Sequence, residues 1–249
     1  LEVRPAEEGK GLLIDQIRGL CRELSLKSHA GGYKVAVLEP ADRMNVAAAN
    51  SLLKTLEEPT DNTLLLLVSD QPARLPATIR SRCQQLSFSL PERETARTWL
   101  AGQLGDGQAP DLLLDLADGA PLRALALSDD KVLARRRERL AQLQAIQCGR
   151  QDPLPVAAEW ARESDSLTLQ WLHSWLTDMI KLSQAGQDVA IRNSDSAKVL
   201  RAMADSLDCQ RLYRHSDRVL QALRLSATGV NRQLMMEDLL LAWSPAARN

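Results

Sequence analysis

The chain has 249 residues, of which 45% are hydrophobic and 25% are charged, a composition typical of a soluble globular protein of one to three domains. Its net charge of -1 excludes an overall polycationic surface of the kind that attracts nucleic acid by counterion release. Any contact with DNA would therefore be local or shared with partners.

The cysteines and the first residues exclude several further classes. Four cysteines are scattered without a CxxC pair, which argues against a metal knuckle or a disulfide framework and favours reduced, buried thiols: Cys21, Cys83, Cys148 and Cys209. No apolar run approaches the roughly 20 residues of a membrane span, and the opening LEVRPAEEGKG does not resemble a signal peptide. Because the chain does not begin with Met, we expect a piece of a longer polypeptide.

Up to about Leu90 the chain alternates helix-like and strand-like runs. Apolar residues recur at helical spacing between Ile14 and Leu24, and Gly31-Gly32 is expected to end this helix. The short, uniformly apolar run from Val35 to Leu38 predicts a strand covered on both faces, as in parallel sheets.

A second helix and a second strand follow. Apolar residues from position 46 to 56 fall along one stripe of a helix that Asn45 can cap and that ends before Pro59. The run from Leu64 to Val68 predicts the next buried strand. Strand, helix and strand within about 35 residues predict a βαβ unit with parallel strands.

Beyond Pro91 only helical periodicity appears, so an all-α part follows the α/β part. Three short helices are predicted to form a small bundle: Pro91 to Trp99, Pro110 to Ala117, and a third from Gly119-Ala120-Pro121 through Leu127. We expect Ser128-Asp129-Asp130 to cap a long helix, Asp152 to Pro155 to form a loop, and Val156 to Trp243 to contain four or five helices.

Two features of this helical part are expected to be structural. Trp171 and Trp175 lie four residues apart on one helix face, which favours packing. The basic run from Arg135 to Arg139 is expected to be a solvated helix face rather than a nucleic-acid patch.

The first strand ends with the residues Leu38-Glu39-Pro40-Ala41-Asp42. In P-loop NTPases a carboxylate at this place holds magnesium, and in the AAA+ branch the next residue is a glutamate that activates water. Glu39 could occupy the metal position, but Pro40 has no carboxylate and Asp42 is displaced by two positions. Taken alone, Glu39 and Asp42 would be interpreted as solvated loop acids.

No GxxxxGK[ST] phosphate loop occurs in the sequence. The segment Glu8-Gly9-Lys10-Gly11 lacks the leading glycine and the hydroxyl residue. In an ATPase of this kind the loop would precede the first residue of this chain, so truncation could explain its absence, but truncation cannot explain Pro40.

Arg82 lies in the tripeptide Ser81-Arg82-Cys83, downstream of NSLLKTLEEP (Asn50 to Pro59). In isolation, a lone arginine before a strand is usually a surface residue. The run LPATIRSRC from Leu75 to Cys83 resembles the SRC motif of bacterial clamp loaders, which are AAA+ proteins. Over essentially its whole length, the sequence resembles the delta-prime subunits of the DNA polymerase III clamp loader.

The resemblance implies the architecture and the role of Arg82. We expect a partial AAA+ parallel sheet with helices in residues 1–90, a three-helix lid in 91–129, and a helical collar in 130–249. Arg82 would reach across a subunit interface to the γ-phosphate of a neighbour's ATP, a role that its planar, permanently charged fork suits.

The resemblance also assigns roles to other residues. Glu39-Pro40-Ala41-Asp42 stands where the hydrolysing gamma/tau subunit has an Asp-Glu-Val-His type motif, so it would be a degenerate Walker B motif. Ser69-Asp70 occupies the sensor 1 position, and Arg123 matches the sensor 2 arginine, here expected to make an intramolecular or interface contact. Gly229-Val230-Asn231-Arg232 would open the last collar helix, with Asn231 as its cap.

The expected partners and cofactors follow from the family. The chain would not be an enzyme by itself but would join delta and gamma/tau in the bacterial cytoplasm, at the nucleoid-associated replisome, in a complex that loads the sliding clamp onto primed DNA. ATP and magnesium would be bound by the neighbouring subunit. Family members carry a zinc-binding cysteine cluster that does not occur in this sequence, so no metal is expected.

Two alternatives remain at this point. One is an active gamma/tau-type ATPase whose phosphate loop has been removed, and position 40 distinguishes it. The other is a purely structural helical scaffold, for which Arg82 would have no role.

Overall fold

The computed structural model describes residues 1–5, 11–26, 32–105, 107–163, 166–185, 189–226 and 230–245. It divides into two compact units, Leu1–Phe88 and Ser89–Asn249. The candidate phosphate-loop residues Glu8, Gly9 and Lys10, and also Gly31 and Gly229, lie outside the described residues. The predicted boundary between lid and collar after residue 129 stays a prediction.

The first unit contains a parallel sheet of three strands in the order β1-β2-β3. The strands are β1 (Glu2–Val3), β2 (Lys34–Leu38) and β3 (Thr63–Leu67). Val3 pairs with Leu38 and Leu38 with Leu67, so the carboxyl ends of β2 and β3 lie side by side. The βαβ prediction is confirmed, whereas β1 was not predicted because two residues are too short to show a period.

The described residues of this unit form three α-helices: α1 (Ile14–Ser25), α2 (Val46–Glu57) and the short α3 (Ala77–Arg80). As predicted, Asn45 caps α2, its Oδ1 accepting a hydrogen bond from the Ala48 amide at 2.8 Å. Helix α2 connects β2 to β3 and therefore runs from the carboxyl end of one strand to the amino end of the next.

The sheet is covered on one face only among the described residues. Ala36 and Leu38 of β2 share a buried core with α1 and α2. The alternate side chains of β3, Leu64 and Leu66, are 45% and 44% exposed, and Val35 of β2 is 39% exposed. The predicted burial of both faces is therefore wrong, because α1 and α2 pack on the same side and strand side chains alternate between faces.

The second unit is helical, and its described residues contain no strand. Its helices are α4 (Arg93–Ala101), α5 (Pro110–Leu116), α6 (Pro121–Leu127), α7 (Asp130–Gln147), α8 (Pro153–Ala161), α9 (Leu167–Ala185), α10 (Ala197–Asp205), α11 (Cys209–Leu225) and α12 (Arg232–Trp243). Asp129 and Asn231 are N-caps, as predicted. The loop predicted from Asp152 to Pro155 is wrong, since Asp152 is the N-cap of α8 and Pro153 is its first residue. Proline is compatible with a first helical turn because the backbone N–H that it lacks would have no partner within the helix there.

Two apolar cores hold this unit together. A small core joins α4, α5 and α6 through residues such as Leu100 and Leu114. A larger core joins α7 to α12 and contains the fully buried Trp160, Trp175 and Trp243. Trp171 also lies in this core, so the packing role predicted for the tryptophan pair is confirmed.

The basic run of α7 is not a solvated face, which corrects the prediction. Arg136 and Arg139 are each only 3% exposed, whereas Arg137 is exposed. Three guanidinium groups lie over tryptophan rings, at 5.3, 5.9 and 5.5 Å from the ring centroids: Arg135 on Trp171, Arg136 on Trp175, and Arg139 on Trp160. A charge count along the sequence cannot reveal this, because the tryptophans are supplied by α8 and α9.

His215 makes the stability of this unit depend on pH. Its ring is buried against Trp243, and burial, followed by the charges of Arg218 and Arg211, lowers its pKa from 6.5 to about 3. As the pH falls, the unfolded chain therefore binds a proton at this histidine before the folded chain does. The free energy of unfolding keeps the full contribution of His215 above pH 6.5 and loses it progressively as the pH drops towards 3. We expect the second unit to be about 2 kcal/mol less stable at pH 5 than at pH 7.5 from this group.

Urea unfolding at the two pH values, followed by tryptophan fluorescence, measures this difference. His215→Leu should flatten the pH dependence, whereas His173→Ala should retain the part due to His215. Equal slopes for the parent chain and His215→Leu would contradict the prediction.

The cysteines are all free, but they are not all buried. Cys148 is exposed, so the prediction of buried thiols is wrong for it, while Cys21, Cys83 and Cys209 are half-buried. In the described ranges, no helix combines the length and the apolar character needed to cross a bilayer.

Candidate functional site

The acids of the degenerate motif lie where β2 and β3 end. The Ala41 amide donates to the Val68 carbonyl at 2.7 Å, and the Val68 amide donates to the Leu38 carbonyl at 3.0 Å, which ties the two strand ends together. Glu39, Pro40 and Asp42 follow β2, and Ser69-Asp70 follows β3. The structure thus brings the predicted Walker B and sensor 1 positions to one edge of the sheet.

Both carboxylates of this motif are engaged by the chain itself. Glu39 accepts a hydrogen bond from Nη2 of Arg4 at 3.1 Å. Asp42 accepts one from the Ser69 hydroxyl at 2.9 Å, and that hydroxyl in turn accepts from the Gln71 amide at 3.1 Å. Asp70 is exposed.

Pro40 is half-buried between these acids and brings no proton acceptor. Asp42, two positions along the chain from Pro40, has its Oδ1 held by the Ser69 hydroxyl. Among the residues that the structure describes, no group of three or more His, Cys, Asp or Glu side chains is placed to hold a metal ion.

Arg82 follows α3 and lies at the surface, with 35% of its side chain exposed. Its Nε donates to Oε1 of Glu57 at 2.8 Å, and its Nη2 is 2.5 Å from the same oxygen. Its Nη1 donates to the Thr78 carbonyl at 2.9 Å and lies 3.4 Å from the Ser81 hydroxyl. The guanidinium is thus oriented by three neighbours yet remains accessible.

Arg82 is separated from the degenerate acids by the length of a helix. Glu57, its partner, is the last residue of α2, which begins beside the carboxyl end of β2 and ends near the amino end of β3. Twelve residues of α-helix span about 18 Å. Arg82 therefore belongs to the opposite end of the sheet from Glu39 and Asp42.

Residues on either side of Arg82 anchor it to the first unit. Ile79 of α3 is buried in the core of this unit, and Cys83 packs against that core. Burial raises the pKa of the Cys83 thiol, so it is a neutral apolar side chain at pH 7. Ser81 ends the helix, its amide donating to the Ala77 carbonyl at 2.9 Å and its hydroxyl to the Thr78 carbonyl at 3.3 Å.

Arg123 lies in the second unit and contacts residues of that unit. Its Nη2 donates to Oε1 of Gln170 at 2.6 Å, and its Nη1 lies 3.7 Å from Asp118. Asp118 also pairs with Arg192. The contact joins the helix of Arg123, α6, to α9, while the sensor 2 assignment stays a prediction.

Sequence reasoning missed two partners in this site. Arg4 was overlooked because nothing near it in the chain suggests a bond to Glu39. Glu57 carried a signal, since it lies inside NSLLKTLEEP, but its pairing with Arg82, 25 positions away, needed the fold.

Two family models match the chain. One, described as "DNA polymerase III, delta subunit", matches residues 3–92, and the other, "DNA polymerase III, delta subunit, C terminal", matches residues 131–245. A solved Thermotoga maritima protein related to the gamma subunit of DNA polymerase III has a TM-score of 0.50 at 17% identity, covering 98% of this chain and 82% of its own. That likeness supports a partial AAA+ fold followed by a helical part.

Curated relatives are more similar in sequence. The delta-prime subunit of DNA polymerase III from Pseudomonas aeruginosa is 34% identical over 97% of this chain and 75% of its own length. The Escherichia coli delta-prime subunit is 35% identical over 94% and 71%. The Bacillus subtilis tau subunit is 30% identical over 48% of this chain and 22% of its own. This chain therefore belongs to the family of bacterial DNA polymerase III delta-prime subunits.

Proposed function

We propose that this chain is a non-hydrolysing clamp-loader subunit that supplies Arg82 in trans to the ATP site of a neighbouring subunit. The observation that carries the proposal is the position of Arg82. Its guanidinium is accessible and is held at the end of the sheet opposite the degenerate acids, which supports a role in a site on another subunit.

The state of those acids supports the absence of hydrolysis by this chain. A carboxylate must accept a proton from water to act as a base, and it must be within hydrogen-bond reach of that water. Glu39 pairs with Arg4, Asp42 bonds to Ser69, and Pro40 replaces the water-activating glutamate. The lack of a carboxylate at Pro40 weakens the alternative of an active gamma/tau-type ATPase.

The proposed partners follow from the relatives. Delta-prime and tau subunits of DNA polymerase III are both similar to this chain, which supports assembly with gamma/tau-type subunits. We propose that the helical collar holds such a complex together, with delta as a further member. The complex would act on the sliding clamp and primed DNA in the bacterial cytoplasm, with ATP and magnesium bound by the neighbouring subunits.

Reconstitution tests the proposal. This protein is mixed with delta and a gamma/tau-type ATPase, and complex formation and DNA-stimulated ATP turnover are measured. The complex is expected to form and to hydrolyse ATP, whereas this protein alone is expected not to hydrolyse it. ATP hydrolysis by the purified polypeptide alone would overturn the proposal.

The degenerate acids should be dispensable for turnover. Glu39→Gln and Asp42→Asn are each expected to leave the DNA-stimulated ATPase rate of the complex unchanged within about twofold, because neither carboxylate contacts a reacting group. The same steady-state assay measures the effect, with complex formation checked by gel filtration. A loss of rate in an intact complex would show that one of these acids takes part in hydrolysis.

A further inference from the structure

We infer that Glu57 is a positioning residue that presents Arg82 to the neighbouring triphosphate. This inference rests on the proposed function of Arg82 in trans. It concerns the orientation of the guanidinium before the neighbour arrives, and it assigns a role to the first of the two adjacent glutamates in the NSLLKTLEEP segment.

The contacts of Arg82 leave part of its guanidinium available. The group has five N–H donors. Oε1 of Glu57 accepts from Nε and is in close ion-pair contact with Nη2, and the Thr78 carbonyl takes an Nη1 donor. Nη2 donates no hydrogen bond to any residue that the structure describes, and the long 3.4 Å contact from Nη1 to the Ser81 hydroxyl can be exchanged for a phosphate oxygen. Two adjacent donors can therefore meet phosphate while Glu57 holds the other side.

The ion pair between Glu57 and Arg82 is strong enough to orient the guanidinium but too weak to keep it from a phosphate. Both side chains are partly exposed, at 35% for Arg82 and 48% for Glu57, and exposed ion pairs are weak. Such a pair cannot withhold arginine from a triphosphate, which carries several negative charges. It can, however, reduce the number of conformations that a flexible arginine must lose on binding.

Helix stability does not explain the presence of Glu57. It is the last residue of α2, where a carboxylate is disfavoured by the negative end of the helix dipole. Removing this charge should not weaken the helix, so a loss of activity in a Glu57 variant would not arise from a destabilised α2.

The test uses the reconstituted complex. Glu57→Gln is expected to lower the single-turnover hydrolysis rate at the site served by Arg82 by on the order of 10-fold at saturating ATP, because a misplaced reacting group is costly. Complex formation and the apparent affinity for ATP should not change. The matched control is Glu58→Gln, which removes the same charge from the adjacent exposed residue and should have no effect.

A double variant separates positioning from a general structural effect. If Glu57 acts through Arg82, then Glu57→Gln should add nothing in an Arg82→Ala background. An equal loss in both backgrounds would overturn the inference, as would a faster rate for Glu57→Gln alone. If Arg82→Ala lowers the rate but Glu57→Gln does not, the inference fails alone. If Arg82→Ala has no effect, the proposed function fails with it.

Discussion

Replacing Arg82 with alanine is expected to slow hydrolysis at the neighbouring ATP site by on the order of 10³-fold, the lower end of the effect of an arginine supplied in trans. The physical reason is that a permanently charged, bidentate donor neutralises charge that develops on the transferred phosphoryl group. The steady-state ATP turnover of the whole complex should fall by the fraction of turnover that this one site contributes. Single-turnover hydrolysis should show a separate slow phase from the same site.

The matched control is Arg80→Ala, which removes an exposed arginine two residues earlier, at the end of α3. It should leave both rates unchanged. Gel filtration of each complex distinguishes a catalytic loss from a failure to assemble. An unchanged single-turnover rate in an assembled Arg82→Ala complex would exclude the role in trans and leave a structural scaffold as the better interpretation.

Replacing Arg136 with alanine is expected to destabilise the second unit by about 3 kcal/mol, because it removes a buried guanidinium with its hydrogen bonds and takes a donor from Oδ1 of the buried Asn193. Nη1 and Nη2 of Arg136 bind Asp195 at 2.7 and 3.2 Å, and Nη2 also donates to Oδ1 of Asn193 at 2.6 Å. Its guanidinium also lies 5.9 Å from the ring centroid of Trp175.

Urea unfolding followed by tryptophan fluorescence measures this loss, because all five tryptophans of the chain belong to residues 89–249. Arg137→Ala, on the exposed side of the same helix, should change stability by no more than about 0.5 kcal/mol. Arg136→Lys should recover only part of the loss, since an ammonium group cannot reproduce the parallel hydrogen bonds of a planar guanidinium. Equal midpoints for Arg136→Ala and Arg137→Ala would contradict a stabilising role of the buried guanidinium.

Local patterns predicted much of the secondary structure correctly. The βαβ unit from Lys34 to Leu67 and the caps Asn45, Asp129 and Asn231 follow from hydrophobic period and cap chemistry, which depend on neighbours within a few residues. The misjudged start of α8 has the same local origin, because a proline is compatible with either a loop or a first helical turn.

Other features depend on residues that are distant in the chain. A uniformly apolar strand does not reveal how many of its faces are covered, so the exposure of Leu64 and Leu66 was not predictable. Likewise, the run from Arg135 to Arg139 has the composition of a solvated face, and its burial depends on tryptophans of α8 and α9 and on acids as far away as Asp195.

The candidate site shows the same division. Residue types alone determined that Pro40 cannot activate water and that Arg82 can bind phosphate, because a missing carboxylate and a permanent charge are properties of single side chains. Tertiary structure alone decided that Asp42 bonds to Ser69, that Glu57 contacts Arg82, and that a helix length separates the two groups. Each of these contacts joins residues 25 or 27 positions apart, and only the crossover between parallel strands brings them together.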